Sequence, residues 1–275
     1  MTKKILKKIF KDGYCVHENV LNDMQCYNYI KSIKKIQDRI KKNQNFKDER
    51  SSQGQEIIRD LILREPNTFL DLIDNIFIIR VLNEIFKETF ILDNCMATNS
   101  INVKNDYSGL VHIDSHLSCN LNKNTSDVIA LFCLEDFTKE TGATKIWPGS
   151  HLSGVRIQNS NDYKKLIKKK NKYAEAKKGS VIFFLGQTWH QIGRNISKKS
   201  RWGIICHYKR WWIKPSTDFT KCGEKIFKYL KPKQKELLGF TSISPRFDFK
   251  KKIRTLKTLR KIENLSQDYF KSIHY

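Results

Sequence analysis

Apolar positions in the first third of the chain recur every three or four residues, which is the period of one helix face. The clearest run begins just after Asn22, a residue that can cap a helix, and Gln25, which stands three positions later as in a capping box. The apolar positions of this run are Cys26, Tyr29, Ile30, Ile33 and Ile36. The pattern predicts one amphipathic helix over residues 23–42.

Weaker patterns surround this helix. Asp12-Gly13 indicates a turn that leads into a short strand. The polar, lysine-rich stretch 43–54 indicates a loop. Residues 55–63 and 66–88 are predicted to be helical, the second starting at a proline, which is favoured in a first helical turn.

From about residue 90 onward, short β-rich runs alternate with Asn, Asp, Gly and Lys clusters. Short strands bounded by turn residues are typical of a sandwich or a barrel. Because helices precede strands without βαβ alternation, we predict an α+β protein built around one antiparallel barrel. The predicted strands cover residues 95–104, 110–119, 127–135, 143–147, 180–185, 190–194 and 201–213.

The chain is predicted to divide into a domain, residues 1–245, and a basic tail, residues 246–275. Within the domain, the charge-rich segment 162–170 is expected to loop over the barrel surface or its mouth. Apolar residues every three positions in the tail predict a helix with one apolar stripe. That stripe either packs on its own domain or docks on a membrane surface or a partner.

Composition narrows the class of protein. Of 275 residues, 39% are apolar and 11% aromatic, which is enough for a globular core. No run approaches the roughly 18 apolar residues of a spanning helix, and no apolar signal core follows the basic N-terminus. The 7 cysteines form no C-x-x-C pair, a pattern of reduced thiols. We therefore expect a cytoplasmic protein.

The net charge of +24 suggests an anionic partner. However, only 12 of the 52 basic residues are arginine, and nucleic-acid readers rely on arginine for bidentate contacts. Lysine enriched together with Ile and Asn is what an A+T-rich coding sequence produces. We interpret the charge as a solvated surface and expect no nucleic-acid partner. An anionic substrate, a membrane surface or a carrier protein remains the alternative.

Two histidines and an aspartate form a candidate metal site. His112 and Asp114 stand two positions apart on a predicted strand, so their side chains leave the same face. His190, at the start of a later apolar run, can supply a third ligand. Two imidazoles and one carboxylate on one face of a metal leave three positions open, the arrangement of non-haem Fe(II) sites that use O2. Arg201 begins the next β-rich run and can hold the distal carboxylate of a 2-oxo acid.

Several stretches resemble one known family, in the same order along the chain. The most specific is the block between the proposed ligands, where Gly142-Ala-Thr144 is followed after three residues by Pro148-Gly-Ser-His151. The other matching stretches are Phe10–Tyr14, Glu18–Leu21, His112–Asp114, Gly179–Phe184, His190–Asn195 and Arg201. They resemble the phytanoyl-CoA dioxygenase family of Fe(II)- and 2-oxoglutarate-dependent oxygenases, over about residues 10–240.

The resemblance implies a double-stranded β-helix, a jelly-roll or cupin-like barrel, flanked by the N-terminal helices. It implies that His112, Asp114 and His190 bind Fe(II) and that Arg201 pairs with the 5-carboxylate of 2-oxoglutarate. Thr144 and Asn102 are the further candidates for holding this co-substrate. The implied reaction consumes O2, releases succinate and CO2, and hydroxylates an unactivated C–H bond of a small-molecule or carrier-bound metabolite. Relatives that halogenate carry a small residue where this chain has Asp114.

Other residues receive weaker predictions, each with a structural alternative. His116, Trp189 and Trp211 are candidate substrate contacts, although a histidine in the fold or an aromatic residue at a strand end is as readily structural. We interpret His151 and His207 as structural. Ile192 stands where many relatives have a small or hydroxylic residue, so no side-chain hydrogen bond to 2-oxoglutarate is expected from it.

Two rival functions remain open from the sequence. The same iron site can catalyse desaturation or cyclisation, which only product analysis separates from hydroxylation. In a different class, a non-catalytic barrel can carry a basic surface that binds anionic surfaces or nucleic acid. That alternative predicts steeply salt-dependent binding that survives loss of His112.

Overall fold

The computed structural model describes residues 2–42, 50–51, 54–102, 109–115, 125–222 and 224–241. Single 3-10 turns lie at Ser150–Ser153, Ile157–Asn159 and Phe219–Cys222. In chain order the helices and strands are α1 (Thr2–Asp12), β1 (Tyr14–His17), α2 (Asp23–Lys42), β2 (Arg50–Ser51), β3 (Gln55–Ile58), α3 (Leu61–Arg64), α4 (Pro66–Ile73), α5 (Ile76–Phe86), β4 (Phe90–Ser100), β5 (Asp127–Cys133), β6 (Lys145–Ile146), α6 (Tyr163–Leu166), β7 (Lys172–Tyr173), β8 (Val181–Leu185), β9 (His190–Gln191), β10 (Arg201–Arg210), α7 (Glu224–Phe227) and α8 (Pro232–Leu237).

Two antiparallel sheets form the barrel. The larger has seven strands in the order β1-β8-β5-β10-β4-β3-β2, and the smaller has three in the order β7-β6-β9. An isolated antiparallel bridge between His112 and His190 extends the smaller sheet. This is the double-stranded β-helix expected from the sequence, so the predicted α+β class and barrel are confirmed.

Strand β5 shows how the larger sheet is buried on both faces. All seven of its residues are buried, so its apolar run is continuous rather than alternating. Val128, Ala130 and Phe132 pack with the helices on the outer face. Ile129, Leu131 and Cys133 face the smaller sheet and form the barrel interior. The helices therefore cover one side of the sheet and leave the other for the site.

The predicted helix over 23–42 is confirmed as α2, and its capping box is present. Gln25 N donates to Asn22 Oδ1 over 2.8 Å, and Asn22 N donates to Gln25 Oε1 over 2.9 Å. Helix α1 was not predicted, although Ile5 and Ile9 lie four positions apart and are its buried residues. Within the described parts of the chain, no helix has the length and apolar character needed to cross a membrane.

Two helix predictions were wrong in their bounds. Residues 55–58 form strand β3, which pairs with β4, and the left-handed backbone of Asp60, with φ of 56°, separates this strand from the short helix α3. Residues 66–88 divide into α4 and α5, because Asn75 accepts hydrogen bonds from Phe77 N and Ile78 N and so starts a new helix. Tertiary pairing decided the first case and a local cap the second.

Three further predictions concern loops and the tail. The predicted loop 43–54 contains the two-residue strand β2, which pairs with β3. Of the predicted strand 110–119, the described part, 110–115, forms only the bridge at His112, and residues 116–119 lie outside the described residues. The segment 162–170 contains helix α6. The tail, residues 246–275, lies outside the described residues, so its predicted helix and docking stay predictions.

Gly13 ties the end of α1 to the barrel. Its carbonyl oxygen accepts from Leu185 N and from Thr188 Oγ1, both over 2.9 Å. Nearby, the ring Nε2 of His151 lies 3.1 Å from Phe10 O. Gly13 has φ of 83°, a conformation that suits glycine. The Phe10–Tyr14 stretch and the Pro-Gly-Ser-His turn are thus joined at one point.

We predict that Gly13→Ala destabilises the protein more than Gly149→Ala. Both glycines have φ near +80°, so each substitution carries the strain of a left-handed L-residue, about 1–2 kcal/mol. A Cβ at position 13 would also lie 2.5 Å from Thr188 Oγ1, whereas at position 149 the nearest atom is 4.0 Å away. Overpacking should add about 1–3 kcal/mol at position 13. Urea unfolding measures the difference, and equal losses in the two variants would contradict the close approach.

Candidate metal centre

His112 and His190 lie side by side on paired strands. Each backbone N–H donates to the other residue's carbonyl over 2.9 Å, so the two residues form a directly opposed antiparallel pair. Their side chains consequently share a face, and the ring centroids are 4.3 Å apart. Backbone pairing, rather than loop geometry, sets the spacing of the two imidazoles.

Asp114 completes a cluster of three potential ligands. Its Oδ1 lies 3.5 Å from His112 Nε2, and its Oδ2 lies 3.5 Å from His190 Nε2. One ligand atom from each residue can be chosen so that all three lie within 4.8 Å of one another. The backbone N–H groups of Asp114 and Ser115 both donate to Gly186 O over 3.0 Å. This bifurcated contact anchors the carboxylate beside the two rings.

The hydrogen bonds of the rings fix which nitrogen faces the cluster. His112 Nδ1 lies 2.9 Å from Leu110 O, and His190 Nδ1 lies 3.0 Å from Thr188 O. Because a carbonyl oxygen only accepts, each Nδ1 is assigned the proton, and each Nε2 presents a lone pair toward Asp114. Two imidazole lone pairs and a carboxylate converge, which is the donor set of a divalent metal site. The residues fit a metal ion.

The electrostatics of the cluster favour an ionised Asp114 and a neutral His190, whereas they favour the charged form of His112. Burial lowers the pKa of His190 to about 4 against the attraction of Asp114, so its imidazole is neutral at pH 7. For Asp114, burial raises the pKa, but the attraction of His190 and a hydrogen bond from His112, each effective when that ring carries its second proton, outweigh burial and hold the pKa well below its usual range. For His112, burial opposes the charged form, while the hydrogen bond and charge of Asp114 raise the pKa. A neutral imidazole and an ionised carboxylate are the forms that bind metal.

A cavity of about 310 Å³ opens onto the three residues. Its polar walls include Gln55 and Thr98, whose side chains hydrogen-bond to each other, together with Thr144. Sequence reasoning missed the first two, because residue 55 was assigned to a helix. Its apolar walls are Ile57, Met96, Leu110, Leu131, Phe184, Ile192 and Ile205.

Arg201 lines the same cavity and is 1% exposed. Its guanidinium carbon lies 3.9 Å from the centre of the Phe137 ring, and its Nε has no hydrogen-bond partner among the residues that the structure describes. Burial lowers the pKa of Arg201 to about 10, and it remains charged at pH 7. Among the described residues no ion pair joins it to a carboxylate. Arg201 is thus a buried cation that no described carboxylate pairs directly, with the charge of Glu135 acting on it only from beyond ion-pair distance.

Two glycines bring Thr144 and Ile192 to the cavity. A Cβ on Gly193 would lie 2.3 Å from Ala143 O, and one on Gly142 would lie 2.7 Å from Gly193 O. The two backbone segments can therefore approach only as glycines. This contact explains physically why the Gly-Ala-Thr sequence and the stretch after His190 occur together.

The remaining predicted site residues lie elsewhere. Asn102 is exposed, and its Nδ2 donates to Ser197 O over 2.7 Å. Trp189 is buried, with its Nε1 donating to Val155 O over 3.0 Å, beside Trp147. Trp211 is half-buried and is not part of the described cavity lining. His116 lies outside the described residues.

Near the three candidate ligands lies a buried cluster of four charged side chains. His207 Nε2 lies 2.9 Å from Asp127 Oδ2, and His207 Nδ1 lies 3.1 Å from Asp93 Oδ2. Lys209 Nζ lies 2.9 Å from Asp93 Oδ1. Although burial opposes it, the hydrogen bonds from His207 to both aspartates raise its pKa to about 9. His207 was predicted to be a core residue, but its charged bridging was not foreseen.

The barrel and its three converging donors define a class, namely double-stranded β-helix proteins with a two-histidine, one-carboxylate metal centre. The model of the phytanoyl-CoA dioxygenase family matches residues 10–203. The chain therefore belongs to this family of iron- and 2-oxoglutarate-dependent oxygenases, as the sequence motifs predicted.

A curated relative and several solved structures are similar to the chain. An uncharacterized protein of Mycobacterium tuberculosis is 27% identical over 240 residues, which is 84% of this chain and 84% of that protein. The epimerase SnoN from nogalamycin biosynthesis superposes with a TM-score of 0.60 at 16% identity, covering 76% of this chain and 80% of that one.

Two further structures share the fold. HygX from Streptomyces hygroscopicus, solved with nickel and 2-oxoglutarate bound, superposes with a TM-score of 0.62 at 12% identity. The match covers 78% of this chain and 89% of the HygX chain. The carbocyclase SnoK from nogalamycin biosynthesis superposes with a TM-score of 0.61 at 14% identity, and the match covers 76% of this chain and 84% of the SnoK chain. At these identities the similarity establishes the fold.

We predict that the charged cluster makes stability fall as pH rises from about 6.5 to 9. His207 has a folded pKa of about 9, against an unfolded value of about 6.5. The native state binds the extra proton in this window, so His207 contributes up to about 3 kcal/mol below pH 6.5, and this contribution is lost as pH rises through 9.

Urea unfolding at a series of pH values measures this slope. His207→Gln, which has no proton to lose, should show a flatter profile over the same window. The charges that act on His207 are those of Asp93 and Asp127, which contact it, of Asp114, and, through Asp93, of Lys209. Parallel profiles for the two proteins would show that His207 is not bound as an imidazolium.

Proposed function

We propose that the protein is an Fe(II)- and 2-oxoglutarate-dependent hydroxylase acting on an unactivated C–H bond of a small-molecule or carrier-bound metabolite. The single observation that carries the proposal is the buried Arg201, which forms no ion pair with any described carboxylate and lies in the same cavity as the three converging donors. A metal site alone does not need such a cation. A site for a metal and a dicarboxylate does.

His112, Asp114 and His190 are the proposed iron ligands. Their two imidazole nitrogens and one carboxylate form the facial set used by non-haem Fe(II) enzymes that react with O2. Bound there with 2-oxoglutarate and O2, the iron would supply the oxidising power, and the co-substrate would leave as succinate and CO2. The carbonyls of Leu110 and Thr188, which hold the two rings by Nδ1, keep the Nε2 lone pairs aimed at the ion.

Arg201 is the proposed partner of the 5-carboxylate of 2-oxoglutarate. A buried guanidinium without an anion is costly, and its planar fork matches a carboxylate through two parallel hydrogen bonds. Phe137 holds the guanidinium from one face, 3.9 Å away, and so restricts its orientation. Thr144, in the same lining, is a candidate to hydrogen-bond the co-substrate. For Asn102 the proposed role lacks such support, since its amide bonds to Ser197 O.

The apolar walls would keep the reacting C–H bond dry. Leu131, Phe184 and Ile205 line the cavity close to the ligands, and an apolar wall excludes water and holds a substrate in a limited set of orientations. Ile192 belongs to this wall and not to the hydrogen-bonding part of the site. These residues would bind and orient, while the ligands and Arg201 would hold the reactive groups.

Hydroxylation is proposed over desaturation or cyclisation, which would use the same ligands. The structurally similar proteins include an epimerase and a carbocyclase, so the fold accommodates several outcomes. Asp114 fills the position that a halogenating relative would leave small, which supports an oxidation without halide. Mass analysis of the product, for a gain of one oxygen or a loss of two hydrogens, separates these outcomes.

An anionic or carrier-bound substrate stays a prediction supported by the net charge of +24. Lys145 and the lysines of the segment 162–170 would favour such a substrate if they lined the cavity mouth, but they are not part of the described cavity lining. Lys145 lies 5.4 Å from the centre of the Tyr173 ring, and Lys169 lies 5.7 Å from the Trp189 ring. If the enzyme turned over only neutral candidate substrates, the hypothesis of an anionic substrate would be wrong.

We predict that succinate formation requires the proposed ligands. With Fe(II), air and 2-oxoglutarate, in the presence and absence of a pool of small metabolites, wild type should form succinate. His112→Ala should reduce the rate at least about 100-fold, because an open ligand position weakens metal binding. His17→Ala is the matched control, since this histidine stacks on Phe77 outside the cavity. Equal rates of succinate formation in wild type and His112→Ala would contradict the proposed iron site.

We predict that Arg201→Met separates stability from co-substrate binding. Without 2-oxoglutarate the variant should be as stable as wild type, or more stable by about 1–4 kcal/mol, because a buried unpaired charge is replaced by an apolar side chain. With metal bound and 2-oxoglutarate at about 100 times its Kd, wild type should gain about 2.7 kcal/mol and the variant nothing.

Thermal and urea unfolding of the metal-loaded proteins measure both effects. Arg201→Lys retains the charge but not the planar fork, so it should recover only part of the stabilisation. Equal stabilisation of wild type and Arg201→Met by 2-oxoglutarate would show that the co-substrate does not use this cation.

A further inference from the structure

We propose that His207 is a positioning residue of the metal centre, which acts on Asp114 through a buried hydrogen-bond chain formed by Asp127, Ser126 and Ser115. The inference rests on the metal site proposed above. Its subject is not the ligand set but the group of buried side chains behind it, none of which belongs to the described cavity lining.

The chain of contacts starts at the charged cluster. Asp127 Oδ2 pairs with His207, and Asp127 Oδ1 accepts from Ser126 Oγ over 2.6 Å. Ser126 Oγ lies 2.9 Å from Ser115 Oγ. Ser115 directly follows Asp114 in the chain, and all of Ser115, Ser126 and Asp127 are 1% exposed. A continuous line of buried polar groups therefore joins His207 to the residue beside the carboxylate ligand.

The direction of every hydrogen bond in this chain is determined. The ionised Asp127 carboxylate can only accept, so Ser126 must donate to it. Ser126 Oγ then accepts from Gln187 Nε2, 2.9 Å away, and from the Ser115 hydroxyl. His207 donates from both ring nitrogens to Asp127 and Asp93, which only an imidazolium can do. His207 thus occupies one carboxylate oxygen of Asp127, Ser126 occupies the other, and this arrangement sets the orientation of the Ser115 hydroxyl.

A second contact from Asp127 reaches the same ligand through the backbone. Gly186 N donates to Asp127 O over 3.0 Å, and Gly186 O accepts from both Asp114 N and Ser115 N. A Cβ on Gly186 would lie 2.1 Å from Asp127 Oδ1, so the carboxylate packs directly against this glycine. Asp127 therefore supports the Asp114–Ser115 segment from the side chain of Ser126 and from the backbone of Gly186.

The charge balance of the cluster explains why it can serve as a fixed support. Asp93 and Asp127 carry two negative charges, and His207 and Lys209 carry two positive charges, each group paired within 3.1 Å. Asp93 also accepts from Ser216 Oγ over 3.1 Å. A buried network in which every member has a partner is rigid. Rigid outer partners hold metal ligands in their binding geometry, and their loss typically weakens metal binding about 10–100-fold.

Ser126→Ala tests the proposal without breaking the charged cluster. Co(II) serves as the probe, because its binding and its visible ligand-field absorption report both affinity and coordination geometry. We expect Ser126→Ala to weaken Co(II) binding about 10-fold and to change the absorption spectrum, and Ser126→Thr, which keeps the hydroxyl, to restore part of the affinity.

Ser180→Ala is the matched control. Ser180 is fully buried, and its Oγ has no hydrogen-bond partner within the described part of the chain, so its loss should leave Co(II) affinity and the spectrum unchanged. Unchanged Co(II) affinity and spectrum in Ser126→Ala would overturn the proposal. If wild type itself binds no Co(II), both the proposed metal site and this inference are wrong. If wild type and Ser126→Ala bind Co(II) equally well, the metal site stands and only the inference is wrong.

A double-mutant cycle assigns the effect to His207. His207→Gln should weaken Co(II) binding, and if it acts through Ser126, the double variant should lose less than the product of the two single losses. Multiplicative losses would mean that His207 only stabilises the fold, and the positioning role would be withdrawn. Where His207→Gln does not fold, the Ser126 and Ser180 pair decides the question.

Discussion

A charge buried in the barrel interior of this protein is costly unless an opposite charge neutralises it. Two groups of buried charges meet this constraint differently. Asp93, Asp127, His207 and Lys209 neutralise one another within 3.1 Å. Arg201 and the ligand cluster at Asp114 do not, because the described surroundings provide Arg201 with an aromatic face and Asp114 with imidazole lone pairs. A cluster whose charges neutralise one another stabilises the fold without a ligand. A buried charge that has no opposite charge beside it can instead be neutralised by the charge of a bound ligand.

The same reasoning separates the two histidine environments. His207 is held between two carboxylates and is charged, whereas His190 is buried beside one carboxylate and is neutral, with a pKa of about 4. The difference follows from the number of acceptors, since each ring nitrogen of His207 faces an aspartate, while His190 Nδ1 faces a carbonyl. A neutral imidazole with a directed lone pair binds metal, and an imidazolium cannot. Position in the network, not residue type, assigns the roles.

Much of the site was predictable, because it is encoded in short segments. Strand alternation placed His112 and Asp114 on one face, and the motif between the ligands identified the family, which the family model confirms. The contacts that explain the motif were not predictable. Gly142 meets Gly193 across a gap of about fifty residues in the sequence, and Gly13 meets Thr188 across a longer one. Such approaches depend on the closed barrel. The helix prediction for residues 55–58 is wrong for the same reason. Their apolar and polar residues fit the helical and the strand period equally well, and only their pairing with β4 makes them a strand.

The high lysine content of the chain does not account for the charges at the candidate site. The lysines with contacts described here pair with surface carboxylates or lie over aromatic rings, as Lys178 does with Asp23 and Lys145 with Tyr173, and the exception is the buried Lys209. A pair such as Lys178 and Asp23, at 38% and 90% side-chain exposure, contributes little to stability and is screened by salt. Within the described cavity the field is instead set by one arginine and one aspartate. The composition therefore predicts how the surface interacts, while the chemistry depends on a few buried groups whose charges the fold leaves uncompensated.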